Sequence, residues 1–524
     1  MGSNACRAID TLRILLILGV MIGGCQIRPE QDTAAEDVRA GREPRLDPDY
    51  AGVTIPPNIA PLNFTLGEPG SEYQVEIYAT GGDTLRITST SPGVVIPLNP
   101  WRNLLQANRG EELCIAVRSR GADGKWVRFN PVRNTIATEG IDPYIVYRLL
   151  KPLYNKYVNI GIYQRNLENY DESTILHNRS AEGACLNCHT FLQQRPDPMI
   201  LHTRGRYGLT MLLAHDGEVT RIGTRTEFNA SPAAYASWHP SGRLLAFSVN
   251  KFSLFFHTEP ERETRDVFDA DSDLVLYRIS DNLLTTAPQI SSPERAETWP
   301  EWAPDGRHLY FASAPVLPIE RFKEVRYDLM RIGYDPDQGT WGTLDTVLSA
   351  ATTGLSITQP KISPDGRFLV FCMAEYGNFP VFLPSSDLYV MELATGQYRR
   401  LEINSDRTDS WHSWSSNSRW LVFSSKRRDG LFSRPYFSYV DEAGRFHKPM
   451  LLPQEDPVFY DSFVKNYNLP VFVTGPVQVS AAQLGRAVFA PEDSLQAQLD
   501  PQVQVHKSPG AGLPAEPYSS GAPR

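Results

Sequence analysis

Apolar and polar residues alternate in short runs along most of this chain, and long helical periodicities are scarce. The second half repeats itself. "SWHPSGRLLAFSVN" begins at Ser237, "EWAPDGRHLYFASA" at Glu301, "KISPDGRFLVFCMA" at Lys361 and "SWSSNSRWLVFSSK" at Ser413, with starts 64, 60 and 52 residues apart. Each unit is a tight turn of the Pro-Asp-Gly kind followed by an apolar run. Proline presets φ and glycine accepts φ > 0, so the turn has a physical basis. A run such as Phe368 to Phe371 predicts a strand buried on both faces. Further strand signals lie between the units: "SDLVLYRIS" at Ser272, "YDLMRIGYD" at Tyr327, "SDLYVMELATGQYRRL" at Ser386 and "RPYFSYVDEAGRF" at Arg434. Each unit therefore predicts a four-stranded antiparallel sheet. One such sheet cannot bury its faces alone, and repetition at this period predicts a β-propeller of five or six blades. The first blade is expected to start at Gly208 with "GLTMLLAHDGEVTRI", and "NIGIYQRNLE" from Asn159 is a candidate to close the ring.

Upstream, "YQVEIYAT", "TLRITST", "ELCIAVRSR" and "KWVRFN" are short strand signals with turns about every ten residues. They predict a β-sandwich of immunoglobulin or fibronectin type over residues 56–145. The fold class is all-β: that sandwich, a connector over 146–205, and a propeller over 206–470. Residues 471–524 are expected to be a largely disordered extension, because the composition turns rich in Gln, Pro and Ser after about residue 490.

The amino terminus changes the picture. Arg7 and Arg13 precede the apolar segment Ile14 to Gly24, which is too short for a bilayer core of ~30 Å and reads as an export signal over residues 1–24. The segment ends "IGGC", in the manner of a bacterial lipobox, which predicts lipidation at Cys25 and a flexible tether over 25–55. The expected location is the cell envelope, membrane-anchored and facing the periplasm or the surface, most simply at the outer membrane. Net charge is −9. A mildly acidic chain without a basic stripe gives no reason to bind nucleic acid.

The chain has six cysteines and ten histidines. Cys114 and Cys372 lie in apolar runs and read as buried small hydrophobes. The remaining pair forms the motif Cys185-x-x-Cys188-His189. That pattern is read as covalent haem attachment, with one thiol for each vinyl group and His189 as proximal iron ligand. A disulfide or redox pair and a zinc site are the alternatives; zinc wants four ligands, and a second Cys pair is absent from the sequence. The distal ligand is open among Met199, His202 and His412, and Arg179, Arg204 and Arg206 are candidates to pair with haem propionates.

The repeats resemble the blades of TolB-like proteins, which carry W-x-P-D-G-x-x-L-x-F and D-L-Y. The match is specific at Trp302 to Gly306 and at Ile362 to Gly366, and weaker at Trp414 to Ser418, where proline is missing. "NLENYDESTIL" and the segment from His412 resemble a group of envelope lipoproteins, chiefly of Bacteroidetes, over most of residues 56–475. The resemblance implies a TolB-like propeller behind a sandwich, with a C-x-x-C-H segment between them.

Three functions follow as expectations. The first is a monohaem c-type cytochrome passing one electron to or from an envelope redox partner. The second is a propeller scaffold that binds a partner protein, its haem structural or sensory. The third is a haem enzyme, and no hydrolase signature such as G-x-S-x-G supports catalysis of another kind.

Overall fold

The computed structural model describes residues 37–151, 159–181, 183–205, 208–229, 233–256, 265–490 and 494–505. The expected signal segment, Cys25 and Arg206 lie outside the described residues.

Among the described residues, six antiparallel sheets form a series of blades. Named from the innermost strand outward, blade 1 is Cys185–Phe191, Met199–Gly205, Gly208–His215 and Glu218–Gly223. Blade 2 starts at Ala233–Trp238, blade 3 at Arg295–Trp302, blade 4 at Ser356–Ile362 and blade 5 at Asp409–Trp414. Blade 6 is composite. Its innermost strand, Asn466–Val473, comes from the carboxyl side, and Tyr144–Leu150, Gly161–Asn166 and Glu172–His177 come from far upstream. Each innermost strand packs against the next, from blade 1 to blade 6 and back to blade 1, so the sheets close into a propeller.

The repeat-based reading placed the first blade too late. Gly208 opens the third strand of blade 1, and the C-x-x-C-H segment is that blade's innermost strand, not part of a connector. The segment from Asn159 contributes the third strand of the closing blade.

The turns behave as their chemistry requires. Gly306 and Gly366 sit at φ of +67° and +73°, and a Cβ on Gly306 would lie 2.8 Å from Nε2 of His239. Blade 5 departs from Pro-Asp-Gly for a reason. The backbone N–H and the hydroxyl of Ser416 both donate to the buried carboxylate of Asp142, at 2.7 and 2.6 Å. Proline has no N–H to give.

The carboxyl extension is more ordered than expected up to residue 505. A helix, Ala481–Phe489, is opened by a reciprocal cap between Ser480 and Gln483. Leu495–Gln496 then adds a parallel strand to the edge of blade 1, and Gln498–Leu499 does the same to blade 2. Truncation after residue 494 removes the backbone bonds from Ala497, Gln498 and Asp500. At about 1 kcal/mol per bond, chemical denaturation is expected to show a loss of about 2–4 kcal/mol, with two edges opened to self-association.

The amino-terminal module has two sheets but departs from the immunoglobulin arrangement. Its larger sheet has seven strands, and Val38–Arg39 and Thr54–Ile55 join it in parallel. A helix, Leu98–Ala107, buries Trp101, Leu104 and Leu105. Residues 38–55, expected as tether, are thus part of the fold from Val38 onward. The module shares one hydrophobic core with blades 4, 5 and 6, including Trp101, Trp414, Trp420 and Phe472. No helix among the described residues is long and apolar enough to cross a membrane.

Candidate functional site

Every innermost strand carries a β-bulge. The bulged residues have positive φ: Cys188 39°, Tyr235 51°, Trp299 57°, Gln359 55°, Trp411 49° and Leu469 52°. Strand register slips at the same places. Positive φ is uncommon outside glycine and costs of order 1–3 kcal/mol when tightly imposed. A bulge re-aims a side chain, and here all six bulged residues line one cavity of about 400 Å³ on the propeller axis.

At the bulge level, rings from three blades meet. Tyr235 stacks on Trp299 with centroids 3.5 Å apart, and Trp411 stands edge-on to Trp299 at 5.2 Å. Phe268 and Phe379 pack with this group, which joins the apolar cluster that plugs one end of the axis. Gln359 is held by its side-chain oxygen, which accepts from the backbone N–H of Trp411 at 3.0 Å. That bond fixes the amide orientation and leaves Nε2 of Gln359 without a partner among the described residues, as is Nε1 of Trp411. On the wall, the Lys361 ammonium lies 2.6 Å from Glu301 Oε2, and the Ser237 hydroxyl donates to the same carboxylate at 3.2 Å.

The predicted haem residues are placed as follows. Cys188 and His189 line the cavity; Cys185 is not among the lining residues. Both cysteines are buried thiols. Burial raises the Cys188 thiol above its usual range despite the nearby Tyr235 backbone, Arg204 and Arg148. Arg148 from blade 6 grips this strand, donating to the Leu186 carbonyl at 3.1 Å and to the Asn187 side chain at 2.7 Å. His189 is buried, and burial, then Arg148, push it down to about 4. Neither of its ring nitrogens has a hydrogen bond of good geometry among the described residues; backbone contacts at Val146 and Leu469 only partly offset the burial. His202 has the same character: burial, then Arg204, push it down to about 3, a backbone contact at Cys188 partly offsets this, and neither ring nitrogen has a hydrogen bond of good geometry among the described residues. It stands edge-on to Phe247 of blade 2 at 6.5 Å.

The other candidates serve packing. Met199 is buried in the core between blades 6 and 1. His412 donates from Nε2 to the Val370 carbonyl at 2.9 Å, with Nδ1 3.8 Å from the Cys372 sulfur. Both its nitrogens thus face blade 4. Arg179 bonds Asn159 at 2.9 Å, while Nε and one terminal nitrogen of Arg204 are buried without partners among the described residues. Cys114 and Cys372 are buried thiols, as read from their apolar runs.

This arrangement answers the cofactor question in two parts. The donor chemistry suits haem: buried thiols, neutral imidazoles and unpaired guanidinium nitrogens. The backbone does not. An extended strand spaces the Cα atoms of Cys185 and Cys188 about 10 Å apart, where one helical turn would hold them near 5 Å. The two thiols are therefore not presented together, and attachment through both does not fit the strand as folded. Zinc fits no better. Among the described residues, three potential metal donors come within 4.8 Å of one another only at the exposed group Asp197, His215 and Asp216.

Beside the plug lie two buried carboxyls, Asp269 and Glu297, and a half-buried one, Asp273, none of which the sequence motifs mark. Burial pushes Glu297 up to about 8, with Asp273 adding to it, and pushes Asp269 and Asp273 up to about 7 each.

Several solved structures show a distant likeness to this chain. A TolB-type protein of Agrobacterium tumefaciens is similar at 15% identity over 59% of this chain and 88% of that one, with a TM-score of 0.35. The periplasmic gluconolactonase PpgL of Pseudomonas aeruginosa is similar at 14% identity, over 62% of this chain and 99% of that one, with a TM-score of 0.34. Hydrazine synthase of Kuenenia stuttgartiensis is similar at 13% identity, over 50% of this chain and 64% of that one, with a TM-score of 0.30. At such scores the propeller assignment rests on the sheet order and the closed ring. No family model matches the chain, and no curated protein matches it.

Proposed function

We propose that the chain is a non-catalytic binding protein of the cell envelope, tethered by lipid at Cys25, whose recognition site is the axial cavity. One observation carries this reading. Six strained bulges aim side chains from six blades into a single cavity, where buried donors lack partners among the described residues. Strain of that kind is concentrated at ligand sites, and a concave, mostly apolar cavity with a few polar groups is the usual form of a binding site. The export-type amino terminus supports the envelope location, and globomycin treatment of cells is expected to leave the unprocessed precursor.

The test is a thermal-shift screen of small metabolites on the full chain and on two cavity-filling variants, Ala236→Leu and Ser413→Phe. At least one compound is expected to stabilise the native protein and to lose that effect in both variants. Stabilisation that survives both substitutions would place binding elsewhere.

A second reading has its own support. The ring nitrogens of His189 and His202, which make no hydrogen bond of good geometry among the described residues, suit with nearby Cys188 haem iron and an electron carrier serving an envelope redox partner. That reading requires the strand Cys185–Phe191 to rearrange. Expression beside a haem-attachment system, followed by a pyridine haemochrome spectrum and intact mass, decides it. The apoprotein mass would end the cytochrome reading.

A further inference from the structure

We propose that the axial cavity takes a neutral saccharide of one or two rings, held by the aromatic group of Tyr235, Trp299 and Trp411 and by the side-chain N–H groups of Gln359 and Trp411. This rests on the binding-protein reading and names its ligand class.

Three features of the cavity select that chemistry. The first is the pair of donors. Gln359 and Trp411 are 3% and 6% exposed and line the cavity, and each carries one N–H without a partner among the described residues; both nitrogens are covered, so the occupant meets them as these side chains turn toward it. A buried donor left unmade costs about 1–3 kcal/mol, so the occupant supplies acceptor oxygens. A purely apolar ligand would leave both donors unpaired.

The second is charge. Lys361 and Glu301 neutralise each other across 2.6 Å on the wall, and the Ser237 hydroxyl is already turned onto Glu301. His189 is uncharged near neutral pH. An anion would meet the Glu301 carboxylate, and a cation would meet the Lys361 ammonium. A hydroxyl can donate to one member of the pair and accept from the other, so a polyol uses both without disturbing the balance.

The third is shape and surface. Three aromatic rings from separate blades meet at the bulge level, and two more planar amides, Gln193 and Gln194, line the cavity. A pyranose has apolar C–H faces, which pack on aromatic rings, and a rim of hydroxyls, which pair with planar amides and carboxylates. About 400 Å³ lies at the lower end of small-ligand sites, which suits one or two rings and excludes a folded polypeptide element.

The experiment follows intrinsic tryptophan fluorescence and titration calorimetry of the full chain with glucose, galactose, N-acetylglucosamine, cellobiose and maltose. At least one is expected to give a saturable change. Gln359→Leu and Trp411→Phe are each expected to weaken it about three- to tenfold, since a neutral hydrogen bond contributes about 0.5–1.5 kcal/mol. Circular dichroism of both variants checks that they fold, and Gln359→Met, which keeps the length and loses the donor, serves if Gln359→Leu does not. Saturation with no loss in folded variants would put the sugar elsewhere and overturn the proposal. Amino acids, nucleosides and carboxylic acids are run in parallel. A hit among them that Ala236→Leu abolishes, with no sugar binding, overturns the saccharide assignment and leaves the cavity as a binding site. Silence from every class overturns both.

Discussion

Trp299→Ala is expected to lower the free energy of unfolding by about 3–5 kcal/mol, the range for deleting a buried large aromatic side chain. Its ring stacks on Tyr235, meets Trp411 edge-on, and donates from Nε1 to the Asn378 carbonyl at 2.9 Å. Truncation opens a void where three blades meet and leaves that carbonyl unpaired. A double-mutant cycle separates packing from stacking. Tyr235→Ala and Trp299→Ala together are expected to cost less than their sum by about 0.5–1.5 kcal/mol, the stacking contribution. Strict additivity in urea titrations would show that the two rings do not interact.

Stability is also expected to fall as pH rises from 7 to 8.5, against the common acid-side pattern. Glu297, Asp269 and Asp273 have folded values raised to about 8, 7 and 7. A carboxyl with a raised value binds more protons folded than unfolded. Its contribution is therefore present at low pH and lost as pH climbs through the folded value. The buried histidines act in the opposite sense. His189, His202 and His412 are lowered to about 4, 3 and 3, so their contribution is lost as pH falls below 6.5. Above pH 7 the main opposition comes from Lys426, whose buried ammonium is lowered to about 8 and whose contribution therefore grows as pH rises; at about 1.4 kcal/mol per pH unit and group the net loss is on the order of 1–2 kcal/mol. Glu297→Gln is expected to flatten the curve. An unchanged slope in that variant, from denaturation at closely spaced pH values, would remove Glu297 as the source.

Much of the architecture was legible because it repeats. The turn chemistry at Gly306 and Gly366 and the doubly buried run Phe368–Ala374 follow from local sequence. The axial site was hidden by the same repetition. Tyr235, Trp299, Gln359 and Trp411 each stand three residues before Trp238, Trp302, Ile362 and Trp414, and Cys188 and Leu469 stand three before Phe191 and Phe472. Aligning the units by their turns draws the eye to what is shared, whereas the cavity is built from a column whose residue type varies among the blades, with only Trp299 and Trp411 alike. The C-x-x-C-H motif misled about local structure because spacing along the chain does not encode backbone conformation. The same residues that suggest a turn fit a strand once blades on both sides bury it. The helix Leu98–Ala107 was missed because it opens after prolines in a segment otherwise rich in strand signals.

Blade 6 sets an order on biogenesis. Tyr144 pairs with Val473, a separation of about 330 residues, and loop closure on that scale is slow. Until Asn466–Val473 has been made and has docked, the circle stays unlatched and the edge of Tyr144–Leu150 lies bare. A polypeptide cut short before Asn466 would hold five finished blades around an axis with one side missing. Any folding helper therefore meets this chain at the step of zipping strands Tyr144–Leu150 and Asn466–Val473 together.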